Sequence, residues 1–151
     1  MSSWSQFAAA EPELARRVQE RFSIRKHKTL ATIRKDGSPR ISGIETEFTD
    51  GDLYLGMMPD SRKLLDLRRD PRLALHSPTD DPPAERASGW AGEAKISGRA
   101  VDAGPLSSPA AGARVRVDID EVVLTHLNKA GNRLVIDAWH PGRGRRRVER
   151  T

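Results

Sequence analysis

The segment Gly56-Met57-Met58-Pro59-Asp60-Ser61-Arg62-Lys63 is where this sequence most plainly offers chemistry. A β-rich run ends at Met58, Pro59 and Asp60 punctuate the chain, and the composition from Ser61 to Asp70 predicts a helix. Asp60 or Ser61 would be its N-cap, and Pro71 its stop. The first turn of that helix then carries one hydroxyl and two cations. Free backbone N–H groups and the positive end of the helix dipole attract an anion there. Ser61 adds a hydrogen-bond donor, Arg62 a planar fork and Lys63 a point charge, a combination that suits a phosphate. Cations at a helix N-terminus are otherwise locally unfavourable, which argues for an anion to neutralise them. The residues alone leave one other reading open: Ser61 as a plain cap, with both cations in solvent.

Other chemistry-bearing residues form no comparable constellation. Glu45 and Glu47 share a strand face by their period of two, and a carboxylate pair on a polar face normally faces solvent. His27, His76, His126 and His140 show neither HxxxH nor HxH spacing, and the chain has no cysteine, so no metal site and no disulfide framework is expected. GxSxG, P-loop and GxGxxG patterns are absent, and Gly142-Arg143-Gly144 lacks the strand-to-helix context of a phosphate loop. No catalytic side chain and no metal ligand is assigned.

The elements that must position the anion site can be read on either side of it. Leu14, Val18 and Phe22 recur at four-residue spacing after Pro12 and Glu13, predicting a short amphipathic helix over 11–22. Thr29–Ile33 is a β-rich run, Lys35-Asp36-Gly37-Ser38 a hairpin turn, Arg40–Phe48 the returning strand, Thr49-Asp50-Gly51-Asp52 a second turn and Leu53–Met58 a third strand. Beyond the helix, Arg72–Ser77 is a fourth strand, Pro78–Ser88 a proline-rich acidic loop and Gly92–Ala100 a fifth strand. Asp102–Gly112 reads as a linker, Arg114–Leu124 as a strongly alternating strand, and Arg133–Trp139 as the final one. The sum is roughly six strands, mostly antiparallel, with two short helices: a mainly β chain forming a closed or nearly closed barrel.

With 151 residues, one domain is expected over 1–151, comprising an N-terminal helical segment (1–27), the barrel (28–139) and a basic tail (140–151). Hydrophobic residues are only 36% of the chain, so some burial is expected from a second subunit, as in a homodimer. Much of the net charge of +5 lies in Arg143, Arg145, Arg146, Arg147 and Arg150. That cluster reads first as a solvated tail, then as a nucleic-acid arm or a clamp on a cofactor phosphate. Tyr54 is the only tyrosine and no aromatic residues interleave with the cations, so nucleic acid is not an expected partner. No stretch approaches the length of a membrane span, and Met1–Ala10 lacks the pattern of an export signal, so a cytoplasmic location is expected.

In order and spacing over about Lys28–Ser77, the sequence resembles the pyridoxamine 5′-phosphate oxidase-like, FMN-binding split-barrel family. The resemblance is carried by Thr29-Leu30-Ala31-Thr32-Ile33, Asp36-Gly37-Ser38-Pro39, Asp52-Leu53-Tyr54-Leu55, Ser61-Arg62-Lys63 and Asp70-Pro71-Arg72-Leu73-Ala74-Leu75. Ala94-Lys95-Ile96-Ser97-Gly98-Arg99-Ala100 resembles the family's strand after the long loop.

The resemblance implies a six-stranded antiparallel split barrel, a homodimer, and two cofactors lying in grooves between the subunits. It implies that Ser61, Arg62 and Lys63 hold the cofactor phosphate. Backbone groups of Lys28, Thr29, Leu30, Ala31 and Thr32 would follow the ribityl chain and ring, and Ser42, Gly43, Ile44 and Glu45 would border the ring. Met57 and Met58 would pack on the ring or fill core, core being the preferred expectation. His76, Trp90, His126 and Trp139 are secondary pocket candidates, for which ordinary packing is the preferred reading. The implied cofactor is FMN or, alternatively, an 8-hydroxy-5-deazaflavin coenzyme, whose acidic tail would need cations such as Arg25, Lys26, Lys28 or the C-terminal arginines. The implied activity is an oxidoreductase acting on a small molecule. The short 101–113 segment departs from relatives that carry a helix there, and it favours the alternative of a non-catalytic flavin- or haem-binding module. The arginine-bearing motif that ends true pyridoxamine phosphate oxidases is also missing around Trp139–Arg143, so vitamin B6 oxidation is not expected.

Overall fold

The hairpin turns and alternating strands produce one continuous antiparallel sheet that closes on itself. The computed structural model describes residues 1–106 and 112–151. In chain order its elements are α1 (Trp4–Ala10), α2 (Pro12–Ser23), β1 (His27–Ile33), β2 (Pro39–Thr49), β3 (Asp52–Met57), α3 (Arg62–Arg69), β4 (Arg72–His76), a 3₁₀ turn (Ala87–Gly89), β5 (Glu93–Pro105), β6 (Ala113–Leu127), β7 (Leu134–His140) and β8 (Gly144–Arg150). Strands neighbour one another in the order β3-β2-β1-β4-β5-β6-β7-β8, and β3 also pairs with β6. The first six of these strands therefore form a closed antiparallel barrel, with β7 and β8 continuing the sheet beyond the closure.

Three elements differ from expectation, each for a local reason. Within the helical segment expected over 1–27, only 11–22 is given a helix by its spacing, yet a second one, α1, precedes it, nucleated by a capping box between Ser3 and Gln6 and fixed by burial of Trp4 and Phe7. The linker expected over 102–112 begins instead as strand: β5 runs on to Pro105, through shifts of register after Ser97 and Asp102. The remainder, 107–111, lies outside the described residues. The arginine cluster expected as a solvated tail is solvent-exposed but forms strand β8, paired with β7 from Leu134↔Arg150 to His140↔Gly144.

Inside the barrel, alternate residues of each strand point inward, among them Leu30, Leu55, Leu75, Ile96, Val117 and Leu124, all fully or almost fully buried. Each such side chain contributes about 1.5–3 kcal/mol by leaving water. Helices α1 and α2 add Phe7, Leu14, Val18 and Phe22 to the same core. Aromatic edges lock them there: Trp4 meets Phe48 at 4.6 Å between centroids, and Phe7 meets Trp139 at 4.9 Å. Glycine is required at Gly98, beside the first bulge, where a Cβ would collide with the Asp118 carbonyl.

Outside the core, a buried carboxylate holds the extra strands. Asp137 on β7 is 1% exposed and accepts hydrogen bonds from Arg147 Nε (2.8 Å) and Nη2 (3.0 Å), with His126 Nε2 at 3.2 Å. Burial pushes the Asp137 carboxyl up, but the Arg147 and His126 hydrogen bonds outweigh it and hold the group below the usual carboxylate range. No helix among the described residues is long and apolar enough to cross a membrane.

Candidate functional site

Helix α3 starts where the sequence places it, and its position on the barrel is set from below by one buried acid. Asp66, 3% exposed, accepts hydrogen bonds from Thr32 Oγ1 on β1 (2.7 Å), Arg40 Nε on β2 (2.7 Å) and Arg69 Nη2 (3.2 Å). Arg69 also donates to the Ile33 carbonyl at 2.6 Å. Burial alone would raise the Asp66 pKa. The donors from Arg40, Thr32 and Arg69 prevail and keep it below the ordinary carboxylate value. One turn up the same helix, Lys63 Nζ donates to the Gly43 carbonyl on β2 at 3.2 Å. The start of α3 is thus fixed over β1 and β2 at two levels.

That start has the features of an anion cradle. Ser61 is the N-cap, but its hydroxyl does not cap the helix; its Oγ is buried and has no hydrogen-bond partner among the described residues. Asp60 before it takes a left-handed φ of 60°, an uncommon conformation for a non-glycine residue. The first turn contains no acid, while Arg62 and Lys63 both stand in it, and neither makes an ion pair among the described residues. An orphaned hydroxyl beside two uncompensated cations and unpaired helix N–H groups leaves a negative ligand as the missing partner.

Lys63 also lines a cleft of about 680 Å³ on the outer face of β2, β3 and β6. Of the residues expected around a cofactor, the structure brings Gly43, Ile44, Glu45, Met57 and Lys63 together in this cleft, with Met58 beside them. Ser61 and Arg62 stand next to Lys63 at the helix start without lining the cleft. The β1 residues divide by face. Thr29 and Ala31 lie on the outer side, paired with Gly43 and Ile41, whereas Leu30 is core, Thr32 is committed to Asp66, and Lys28 is buried with its ammonium on the Lys26 carbonyl at 2.9 Å. Only backbone groups of those three inward residues are available toward the outer face. Burial pushes the Lys28 amine down, against the opposing pull of Glu45. Ser42, paired with Leu30, is half-buried beside Gly43 and does not line the cleft. Met57 is core, as preferred, while Met58 is exposed.

The secondary candidates stay outside the cleft. Trp139 packs on Phe7, His126 is held by Asp137, His76 turns to the Ser77 carbonyl, and Trp90 donates to the Asp80 carbonyl. Of the cations considered for an acidic tail, Arg25 pairs with Asp80 at 2.7 Å and Lys26 with Glu45 at 3.5 Å. Arg147 is committed to Asp137, and Arg145 lies within 3.8 Å of Glu11.

Comparison with solved structures decides which architecture this is. A pyridoxamine 5′-phosphate oxidase-related, FMN-binding protein from Nostoc punctiforme PCC 73102 superimposes with a TM-score of 0.67 at 10% identity, over 97% of this chain and 99% of that one. The chain has the split-barrel fold of the pyridoxamine 5′-phosphate oxidase-like proteins. PhzG from Burkholderia lata 383, solved with tetrahydrophenazine-1-carboxylic acid, aligns with a TM-score of 0.66 at 13% identity, over 97% of this chain and 92% of that one. An F420 reductase aligns with a TM-score of 0.50 at 18% identity, over 67% of this chain and 91% of that one. No protein-family model and no curated protein matches the sequence.

On this split barrel, the cleft also includes residues that the sequence did not place at a cofactor. Tyr54, Gly56, Leu106 and Arg114 line the cleft, as do His27 and Glu47. The absent side chains of Gly43 and Gly56 leave backbone as floor, and Leu106 hangs over Gly56, 3.3 Å from where a Cβ would stand. Arg114 pairs across the β3–β6 closure with Gly56, a contact between positions almost 60 residues apart that no local pattern announces. The period-two alternation of β2 and β3 did carry a usable signal: Gly43, Glu45 and Glu47 on one strand, and Tyr54 and Gly56 on the next, necessarily share the outer face.

Proposed function

We propose that this protein is a flavin- or deazaflavin-dependent oxidoreductase acting on a small molecule, working as a cytoplasmic homodimer. The observation that carries the reading is the start of α3: an orphaned, buried Ser61 hydroxyl and two cations without acids, beside an open cleft on a split barrel. The residues present fit a cofactor phosphate by charge and by donor chemistry. A bound flavin or deazaflavin supplies the hydride transfer, so no acid–base pair is required of the chain.

The chain's own residues bind and orient. Ser61, Arg62 and Lys63 hold the phosphate, with Asp66 fixing the helix that carries them. The side-chain-free floor at Gly43 and Gly56 admits a flat ring close to backbone N–H and C=O groups. Fold likeness to an FMN-binding protein and to an F420 reductase supports both cofactors as candidates. The exposed Ile41 and Met58 near the cleft suit cover by a second copy, which would also shield the ring from solvent.

The test is separate fluorescence titration of the purified protein with FMN and with the deazaflavin coenzyme, alongside sedimentation to give the oligomeric state. Saturable binding of either, one per protomer of a dimer, supports the reading and identifies the cofactor. A folded protein that binds neither rejects it in favour of a non-catalytic module.

A further inference from the structure

In the same cleft as Lys63, on β6 across β3 from β2, Arg114 sits over the Tyr54 ring, its guanidinium carbon 3.6 Å from the ring centroid. The arrangement follows from register. Arg114 faces Gly56 across the strand pair, and because Gly56 has no side chain, Arg114 can lean diagonally onto Tyr54. Among the described residues this guanidinium makes no hydrogen bond; its nearest acid is Glu47, at 3.6 Å and itself 65% exposed. Stacking therefore fixes the plane of a five-donor fork while leaving its donors uncommitted, which is pre-organisation for a planar, bidentate acceptor. The exposed pair with Glu47 is worth no more than about 1 kcal/mol, so an incoming acid displaces it at little cost. Beside the fork, the cleft offers the apolar Leu106 and Met58.

We infer that Arg114 recognises the carboxylate of an acidic, flat-bodied small-molecule substrate, with Tyr54 as the residue that holds the fork in place. The inference rests on the flavin reading for the reaction that follows, but not for the binding of the acid itself. Phosphate recognition belongs to the α3 start, and carboxylate recognition to Arg114 on β6.

The experiment is calorimetric titration of the full-length protein, with and without saturating FMN, using benzoate and 2-naphthoate as probes and benzamide as the uncharged control. Saturable binding of an acid and at least tenfold weaker binding of the amide are expected. Arg114→Met should weaken the acid at least tenfold in the cofactor-free protein, Arg114→Lys should restore only part, and Glu47→Gln should tighten it by removing the competing carboxylate. Opposite shifts from two variants on one surface are not what loss of structure gives, and circular dichroism checks that each variant folds. The inference is overturned if neither acid binds, if acid and amide bind alike, or if Arg114→Met binds the acid like the parent. Failure of FMN to bind the parent protein would instead reject the flavin reading, with the acid titration of the cofactor-free protein still deciding the role of Arg114.

Discussion

Asp66→Asn removes one charge from the buried joint under the candidate site while nearly preserving its shape. An asparagine oxygen still accepts from one donor, but Arg40, whose side chain is 22% exposed, loses its counter-charge, and Arg69 loses an acceptor. A hydrogen bond to a charged group contributes about 1.5–3 kcal/mol, and breaking a fully buried pair costs about 3–5 kcal/mol. Both arginines reach solvent, so the lower range applies, about 2–3 kcal/mol. For a chain of this length that lowers the melting temperature by roughly 4–12 °C.

The pH dependence has a fixed sign. Because the folded pKa of Asp66 is depressed, its stabilisation is complete above the unfolded carboxyl value of about 3.9 and is lost as pH falls through the folded value. The gap between parent and variant should therefore be constant near neutrality and close in acid below about pH 4. Thermal melts by circular dichroism across pH 2.5–7.5 measure both quantities, taken on about ten points. A variant that melts within about 1 °C of the parent at pH 7, or a gap that widens in acid, refutes the reasoning.

Three other perturbations follow from the structure. Arg62→Ala with Lys63→Ala should weaken FMN binding at least about 100-fold in a fluorescence titration while shifting the melt by no more than about 2 °C, because Arg62 is exposed and Lys63 donates only to a carbonyl. Gly98→Val places a Cβ against the Asp118 backbone, which has no flexible end to yield, and should cost at least about 2 kcal/mol in urea unfolding. Asp137→Asn should speed amide hydrogen exchange in β8 and leave β1 unchanged, since Asp137 anchors Arg147 and no contact with β1 depends on it.

Much of this architecture was readable because local rules and tertiary packing agree. Asp-Gly turns at 36–37 and 50–51 fixed two hairpins, and the cation-bearing start of α3 stood out because it contradicts the helix dipole. The conflict between Ser61–Lys63 and its own helix is the kind of local inconsistency that marks a binding site. What escaped reading depends on distance along the chain. Thr32, Arg40 and Asp66 look unrelated in sequence and meet only when α3 packs on β1 and β2. Arg114 enters the cleft only because β3 pairs with β6 to close the barrel. The arginines of β8 read as a solvated tail because Gly144–Arg150 carries no apolar alternation, and the strand forms by pairing with β7, which puts Arg147 opposite the buried Asp137. Strand identity on β1 was legible, but which of its residues offer side chains and which only backbone became clear from Leu30 in the core and Thr32 on Asp66.

The central claim is that the α3 start holds the phosphate of a bound flavin, and comparing the affinities of FMN and riboflavin tests it most directly, since the two differ only in that group. FMN should bind at least about 100-fold more tightly, equivalent to about 2.7 kcal/mol, with the difference disappearing in the Arg62→Ala, Lys63→Ala protein. Equal affinities for FMN and riboflavin in the parent protein would contradict the account.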